Sequence, residues 1–89
     1  MRSQDICVYI LECRDGTFYT GWTNDIEKRL KSHNAGTASK YTRGRTPVKL
    51  VYLENLPTRE QALSREAQIK KLEKKDKLAL IKANENDRP

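Results

Sequence analysis

Cys7-Val8-Tyr9-Ile10-Leu11-Glu12-Cys13 and Thr17-Phe18-Tyr19-Thr20-Gly21-Trp22 are two runs of strand-forming residues parted by Arg14-Asp15-Gly16. Asp-Gly between such runs signals a β-hairpin. The loop length decides what the hairpin can present. With a two-residue loop of Asp15 and Gly16, Glu12 faces Tyr19 and the two tyrosines point to opposite faces. With a three-residue loop, Gly16 takes the left-handed position of a bulge and Leu11 faces Tyr19. Side chains alternate along a strand, so Tyr9, Leu11 and Cys13 then share a face with Thr17, Tyr19 and Gly21. This second register is the expected one. It brings two phenols together and sets Gly21 opposite Tyr9, leaving room for something to approach.

Outward from the hairpin, strands are expected over Ile6–Cys13 and Thr17–Trp22, and a helix follows. Asn24 is a suitable N-cap, Glu27 completes a capping box with it, and Gly36 is a natural stop. Ile26, Leu30 and His33 form a stripe at helical spacing, and Arg29 precedes His33 by one turn on the same side. Gly36 to Pro47 reads as an irregular basic loop carrying Lys40, Tyr41, Arg43 and Arg45, and Val48 to Leu53 as a third strand. Thr58 with Gln61 opens a second long helix from Arg59 to Lys71 or Leu72, whose inward face takes Ala62, Leu63, Glu66, Ile69 and Lys70. The lysine-rich run Lys70–Lys75 leads to a short last helix, Asp76 to Ala83, anchored by Leu78 and Ile81. Asn84 to Pro89 should fray.

Eighty-nine residues make a single domain with a small core, spanning about 6–83. No run reaches the ~18 apolar residues of a membrane span, and Met1 to Asp5 is not a signal peptide. Cys7 and Cys13, on one strand, stand about 20 Å apart, too far for a bridge; no Cys/His spacing suits zinc. Reduced thiols and a cytoplasmic monomer are the expectation. Net charge is +6, and its distribution carries the information. Between Lys28 and Leu53 there is no Asp or Glu, while Lys28, Arg29, Lys31, Lys40, Arg43, Arg45 and Lys49 all fall there. Such a surface suits a polyanion, and Arg interleaved with Tyr suits phosphate contacts plus stacking on a base.

Five polar residues stand out, on four different elements: Tyr9, Tyr19, Arg29, His33 and Glu66. A carboxylate in the inward stripe of a helix is costly unless it pairs with Arg29 or a lysine, or holds a metal. Phosphodiester hydrolysis needs an activated water, positive charge for the phosphoryl oxygens and help for the departing oxygen. Glu66 can hold one hard cation such as Mg²⁺, and Arg29 offers a planar, permanently charged fork for phosphate. A tyrosine is a poor base at its ordinary pKa of ~10. It becomes plausible when a cation lowers that value or when His33 takes its proton onward. Each residue also has an ordinary alternative: the tyrosines as half-buried strand residues, His33 as a cap on the negative end of its helix.

The pair Cys7-Val8-Tyr9 and Tyr19-Thr20-Gly21, with the segment Thr42 to Tyr52, resembles the GIY-YIG endonuclease superfamily in its small stand-alone bacterial branch. The resemblance runs from Ile6 to Ala83, with Cys7 standing where the first motif has glycine. It implies an α+β fold in the order ββαβαα, a three-stranded antiparallel sheet flanked by helices, which agrees with the elements read above. It implies a divalent-metal-dependent DNA endonuclease of low sequence specificity, or one preferring single-stranded or branched DNA, using Mg²⁺ (or Mn²⁺) and no small-molecule cofactor. The matching positions are Tyr9 as general base, Tyr19 orienting water or phosphate, Arg29, His33, and Glu66 as metal ligand. Lys40, Tyr41, Arg43, Arg45 and Lys49 would hold the DNA. Glu12 stands where some branches have a lysine, and a late asparagine of the large homing enzymes has no match. The rival functions are a non-catalytic nucleic-acid-binding module on the same basic surface, and an interaction domain whose charge serves solubility.

Overall fold

The structure, a computed structural model, describes residues 5–86. It consists of β1 (Cys7–Glu12), β2 (Phe18–Thr23), α1 (Ile26–Asn34), α2 (Lys40–Arg43), β3 (Lys49–Asn55), α3 (Arg59–Lys70) and α4 (Lys74–Asn86). The order is the expected ββαβαα with one addition: the basic stretch after Gly36 is not wholly irregular but contains the helical turn α2, capped by Ser39. The expectations for residues 1–4 and 87–89, no signal peptide and a frayed end, lie outside the described residues.

The antiparallel sheet runs β2-β1-β3, so the hairpin's first strand is central. The three-residue loop is realised: Leu11 pairs with Tyr19, Tyr9 with Gly21, and Gly16 has φ 84°. Cys13 N–H donates to Thr17 O and Gly16 N–H to Cys13 O, closing the turn. Because β1 is covered on both faces, it reads Cys-Val-Tyr-Ile-Leu without polar alternation. Cys7, Tyr9, Leu11 and Cys13 pack with Ile26 and Leu30 of α1 and with Val48. Val8 and Ile10 pack on the opposite face with Ala62 and Ile69 of α3 and Ile81 of α4. The third strand alternates poorly because its pairing with β1 slips by one residue. Ile10 pairs with Tyr52 but Leu11 with Leu50, so Val51 is the extra residue of a bulge.

Several local expectations are corrected. The N-cap of α1 is Asp25, not Asn24: its side chain accepts from Lys28 N–H at 3.2 Å, while Thr23 Oγ1 accepts from Asp25 N–H. Thr23 still pairs with Cys7 in the sheet, so residue 24 is needed to leave it. On α3 the buried residues are Ala62 and Ile69, and Leu63 is 46 % exposed because it lies 100° round the helix from Ala62. Lys70, next to Ile69, is exposed too. The last helix is longer than expected; Ile81 and Leu80 anchor it, whereas Leu78 is 43 % exposed. Asn84 does not fray, its Nδ2 donating to Leu53 O at 3.4 Å. From the lysine run, Lys74 donates to Gly16 O at 3.1 Å and ties the start of α4 to the hairpin loop.

Candidate active site

Tyr9 lies at the middle of β1 and is 1 % exposed. Its phenol fills the space over Gly21: a Cβ at residue 21 would lie 2.7 Å from Tyr9 Oη and 2.9 Å from Cζ. The room left by Gly21 is therefore not an approach for substrate, as the sequence suggested; it accommodates Tyr9 itself. Tyr9 Oη is 2.9 Å from Nε2 of His33, a fully buried side chain of α1. The other ring nitrogen, Nδ1, is 2.9 Å from Thr42 Oγ1 on α2. Both ring nitrogens are thus engaged away from the end of α1, so His33 is not a helix cap.

Tyr19, on the neighbouring strand and the same face, packs against both. Its ring centroid is 6.4 Å from that of Tyr9 and 5.1 Å from that of His33. Beyond it the Tyr41 ring lies at 5.9 Å, and the Arg45 guanidinium sits 4.2 Å over Tyr41. A continuous run of rings therefore leads from the buried Tyr9–His33 pair to the surface. Arg45 also binds Asp15 Oδ2 at 3.0 Å and the Tyr41 carbonyl at 2.7 Å, fastening α2 to the hairpin loop. Lys49 faces Glu12 across the strands at 3.6 Å. Lys40 and Arg43 project from the exposed side of α2.

Arg29 and Glu66 flank this cluster. Arg29 is exposed on α1, one turn before His33, and with Asn24, Lys28, Ser32 and Thr37 it lines an open cavity of about 440 Å³. The Glu66 side chain is 17 % exposed and pairs with Lys70 Nζ at 3.2 Å, the i,i+4 lysine rather than Arg29. Both charges reach Tyr9. Burial pushes the phenol well above its ordinary value, the Tyr19 phenol and the Glu66 carboxylate push it further, and Arg29 pulls it back. Burial, and secondly Arg29, hold His33 below the ordinary imidazole value. The two hydrogen-bonded groups are consequently both neutral near pH 7. The thiols offer no second nucleophile, since burial pushes Cys7 up to about 11 and raises Cys13 as well.

Among the described residues no three His, Cys, Asp or Glu side chains gather into a metal-holding group. A single carboxylate is nevertheless an adequate protein ligand for Mg²⁺, which fills its remaining positions with water and substrate phosphate oxygens. Glu66, a hard oxygen donor partly withdrawn from solvent, fits that requirement.

Of the residues singled out in the sequence, Tyr9, Tyr19 and His33 are in mutual contact, and Arg29 and Glu66 act on the cluster through their charge. The sequence reading did not foresee Thr42. It is fully buried, nine residues beyond His33, on a turn that local spacing does not link to α1. No helix among the described residues is long and apolar enough to cross a membrane.

The profile of the GIY-YIG catalytic domain matches residues 5–79. The chain is 60 % identical over 74 residues to the UPF0213 protein CPE1444 of Clostridium perfringens, covering 83 % of this chain and 80 % of that one. It is 58 % identical over 74 residues to the UPF0213 protein HQ_3675A of Haloquadratum walsbyi, covering 81 % and 83 %. The solution NMR structure of the protein EF2693 from E. faecalis superposes with a TM-score of 0.65 at 38 % identity, over 99 % of this chain and 94 % of that one. That of the UPF0213 protein BH0048 from Bacillus halodurans gives 0.58 at 43 %, over 89 % and 84 %.

Proposed function

The chain belongs to the GIY-YIG family, and we propose that it is a divalent-metal-dependent DNA endonuclease, a cytoplasmic monomer of low sequence specificity or one selective for single-stranded or branched DNA. The observation that carries this reading is the buried Tyr9–His33 hydrogen bond with Tyr19 packed on both partners and Arg29 and Glu66 at its edge. A phenol with a raised pKa cannot take a proton from water unaided. It can do so as its own proton passes to Nε2 of His33, which burial keeps neutral and able to accept. No free phenolate then needs to accumulate, provided that Tyr9 is the donor of that hydrogen bond.

Arg29, exposed beside an open polar cavity, binds the scissile phosphate and offsets charge on its oxygens. Tyr19, less buried than Tyr9, orients water or phosphate at the mouth of the cluster. Glu66 would hold Mg²⁺ or Mn²⁺, with Lys70 turning aside into solvent; when bound, the ion supplies positive charge beside the reacting phosphate. Lys40, Tyr41, Arg43, Arg45 and Lys49 position the strand without reading its bases. Of these, Arg45 and Lys49 already have protein partners and the Tyr41 ring packs on Tyr19 beneath Arg45, which leaves Lys40 and Arg43 as the main contacts.

The test is incubation with single-stranded, duplex and branched DNA, with Mg²⁺ or Mn²⁺ and with chelator, beside Glu66→Ala purified identically. Metal-dependent cleavage that disappears in Glu66→Ala, with DNA affinity largely kept, supports the reading and reveals the substrate structure. Salt-sensitive binding without cleavage in either protein would replace the nuclease by a binding module.

A further inference from the structure

Three protons lie along the chain Tyr9–His33–Thr42–Ser39: the phenol's, the neutral imidazole's and the threonine hydroxyl's. Four groups can accept them. Thr42 Oγ1 is 2.9 Å from His33 Nδ1 and 3.4 Å from the Ser39 carbonyl oxygen, and Tyr9 Oη is 2.9 Å from His33 Nε2. Two assignments are possible. In the first, Thr42 donates to Ser39 O, Nδ1–H donates to Thr42, and Tyr9 donates to Nε2, so every proton has an acceptor. In the second, Thr42 donates to Nδ1 and Nε2–H donates to Tyr9, and the phenol's own proton has no acceptor among the described residues. Tyr9, His33 and Thr42 are all buried, and a buried donor left without an acceptor costs about 1–3 kcal/mol. The first assignment satisfies every proton within the protein, and it is the stable one while no substrate water stands at Tyr9 Oη.

We infer that Thr42 is a positioning residue that holds His33 in the Nδ1–H tautomer and so presents a bare Nε2 to the Tyr9 hydroxyl. A carbonyl can only accept. The Ser39 oxygen therefore sets the direction of the threonine hydroxyl, the hydroxyl sets the imidazole, and the imidazole sets the phenol. Its catalytic meaning rests on the nuclease reading above, since a tautomer matters to cleavage only if Tyr9 passes its proton to His33. The element responsible is α2. The helical turn that shows Lys40, Tyr41 and Arg43 to solvent holds Thr42 inward against the histidine.

His33 is the chain's single histidine, so long-range ¹H–¹⁵N spectra of the intact protein near pH 7 read its tautomer without ambiguity. The native protein should show a protonated Nδ1 and an unprotonated Nε2. Thr42→Val keeps the shape and removes the hydroxyl; it should yield Nε2–H or a mixture, while Thr42→Ser retains the native pattern. In cleavage assays Thr42→Val should lower kcat by about 10- to 100-fold with KM little changed, and Thr42→Ser should restore it. An Nε2–H imidazole in the native protein overturns the inference, and so does a Thr42→Val protein with native tautomer and native kcat. The native spectrum needs no variant, so a poorly folding Thr42→Val protein does not remove the test. If the tautomers behave as stated while no protein cleaves DNA, the positioning role stands and the nuclease reading falls.

Discussion

Gly21→Ala is the sharpest perturbation of this site, because its consequence follows from three distances. The added methyl would lie 2.7 Å from Tyr9 Oη, 2.9 Å from Cζ and 3.2 Å from Cε2 of Tyr19. Carbon contacts are at rest near 3.5–4.0 Å, so the nearest atoms must separate by several tenths of an ångström or more. Tyr9 cannot swing aside freely: it stands on the central strand, is 1 % exposed and is held by His33. Forcing an extra carbon into such a place costs about 1–3 kcal/mol, and loss of the Tyr9–His33 hydrogen bond adds about 0.5–1.5 kcal/mol. A total of about 1.5–4.5 kcal/mol is a large share of the ~5–15 kcal/mol that stabilises a domain. Urea unfolding followed by Trp22, the chain's one tryptophan, should show it, and thermal unfolding should shift down by at least about 6 °C. In a Tyr9→Phe background the 2.7 Å contact and the hydrogen bond are already gone, so the same substitution should cost about 1 kcal/mol less. Equal costs in both backgrounds, or a Gly21→Ala protein with native stability and cleavage, would refute the packing argument.

Tyr9→Phe alone should keep the fold at a cost of about 1–3 kcal/mol, since it strands the buried Nε2, and should slow cleavage about 100-fold or more; native cleavage rates would remove Tyr9 from the base role. His33 is held below its ordinary value of about 6.5, so the unfolded chain binds more protons than the folded one just below that pH. Its contribution to stability is therefore complete above pH 6.5 and declines as pH falls through the lower folded value. Urea midpoints should decrease more steeply between pH 7 and 5.5 in the native protein than in His33→Gln, and parallel slopes would contradict the shift. Thr20 Oγ1 is buried with no hydrogen-bond partner among the described residues, so Thr20→Val should raise stability by about 1 kcal/mol, read as a higher melting temperature; a lower one would show that the hydroxyl is satisfied. An oligonucleotide bound in chelator should raise the NMR titration midpoint of His33 by offsetting Arg29, whereas Arg29→Gln should raise the midpoint without DNA and leave less for DNA to add; equal DNA shifts in both proteins would take the phosphate away from Arg29.

Much of the frame was legible in the residues because its causes are local. Asp15-Gly16 demands a turn, and of the two registers it allows, the three-residue loop that puts the phenols on one face is the one formed. Glu66 and Arg29 were conspicuous because charge beside a buried stripe calls for a partner. The failures have equally definite causes. The Asn24 cap was one residue early because the sheet keeps Thr23, a pairing that no capping rule sees. The third strand was legible in its β-formers even though the bulge at Val51 breaks its alternation. Leu63 and Leu78 fit the inward stripes by helical spacing, but each helix buries a narrower stripe and leaves both exposed. Thr42 gave no signal, since its role exists only once α2 has folded against α1.

The chemistry follows from how burial and charge are divided between interior and edge. Burial alone acts on Tyr9 and His33 in opposite pKa directions but toward the same state, because it disfavours phenolate and imidazolium alike. Proton transfer from the phenol alone would create an ion pair in place, whereas taking a proton from water in the same step would leave a neutral phenol beside imidazolium. Arg29 opposes burial on the phenol and reinforces it on the imidazole, whereas Glu66 raises the phenol. Binding an anion at Arg29, or a cation at Glu66, therefore changes the balance without any rearrangement of the buried pair. The neutral resting pair belongs to the fold, and the charges that unbalance it are supplied at the edge where a phosphate would arrive.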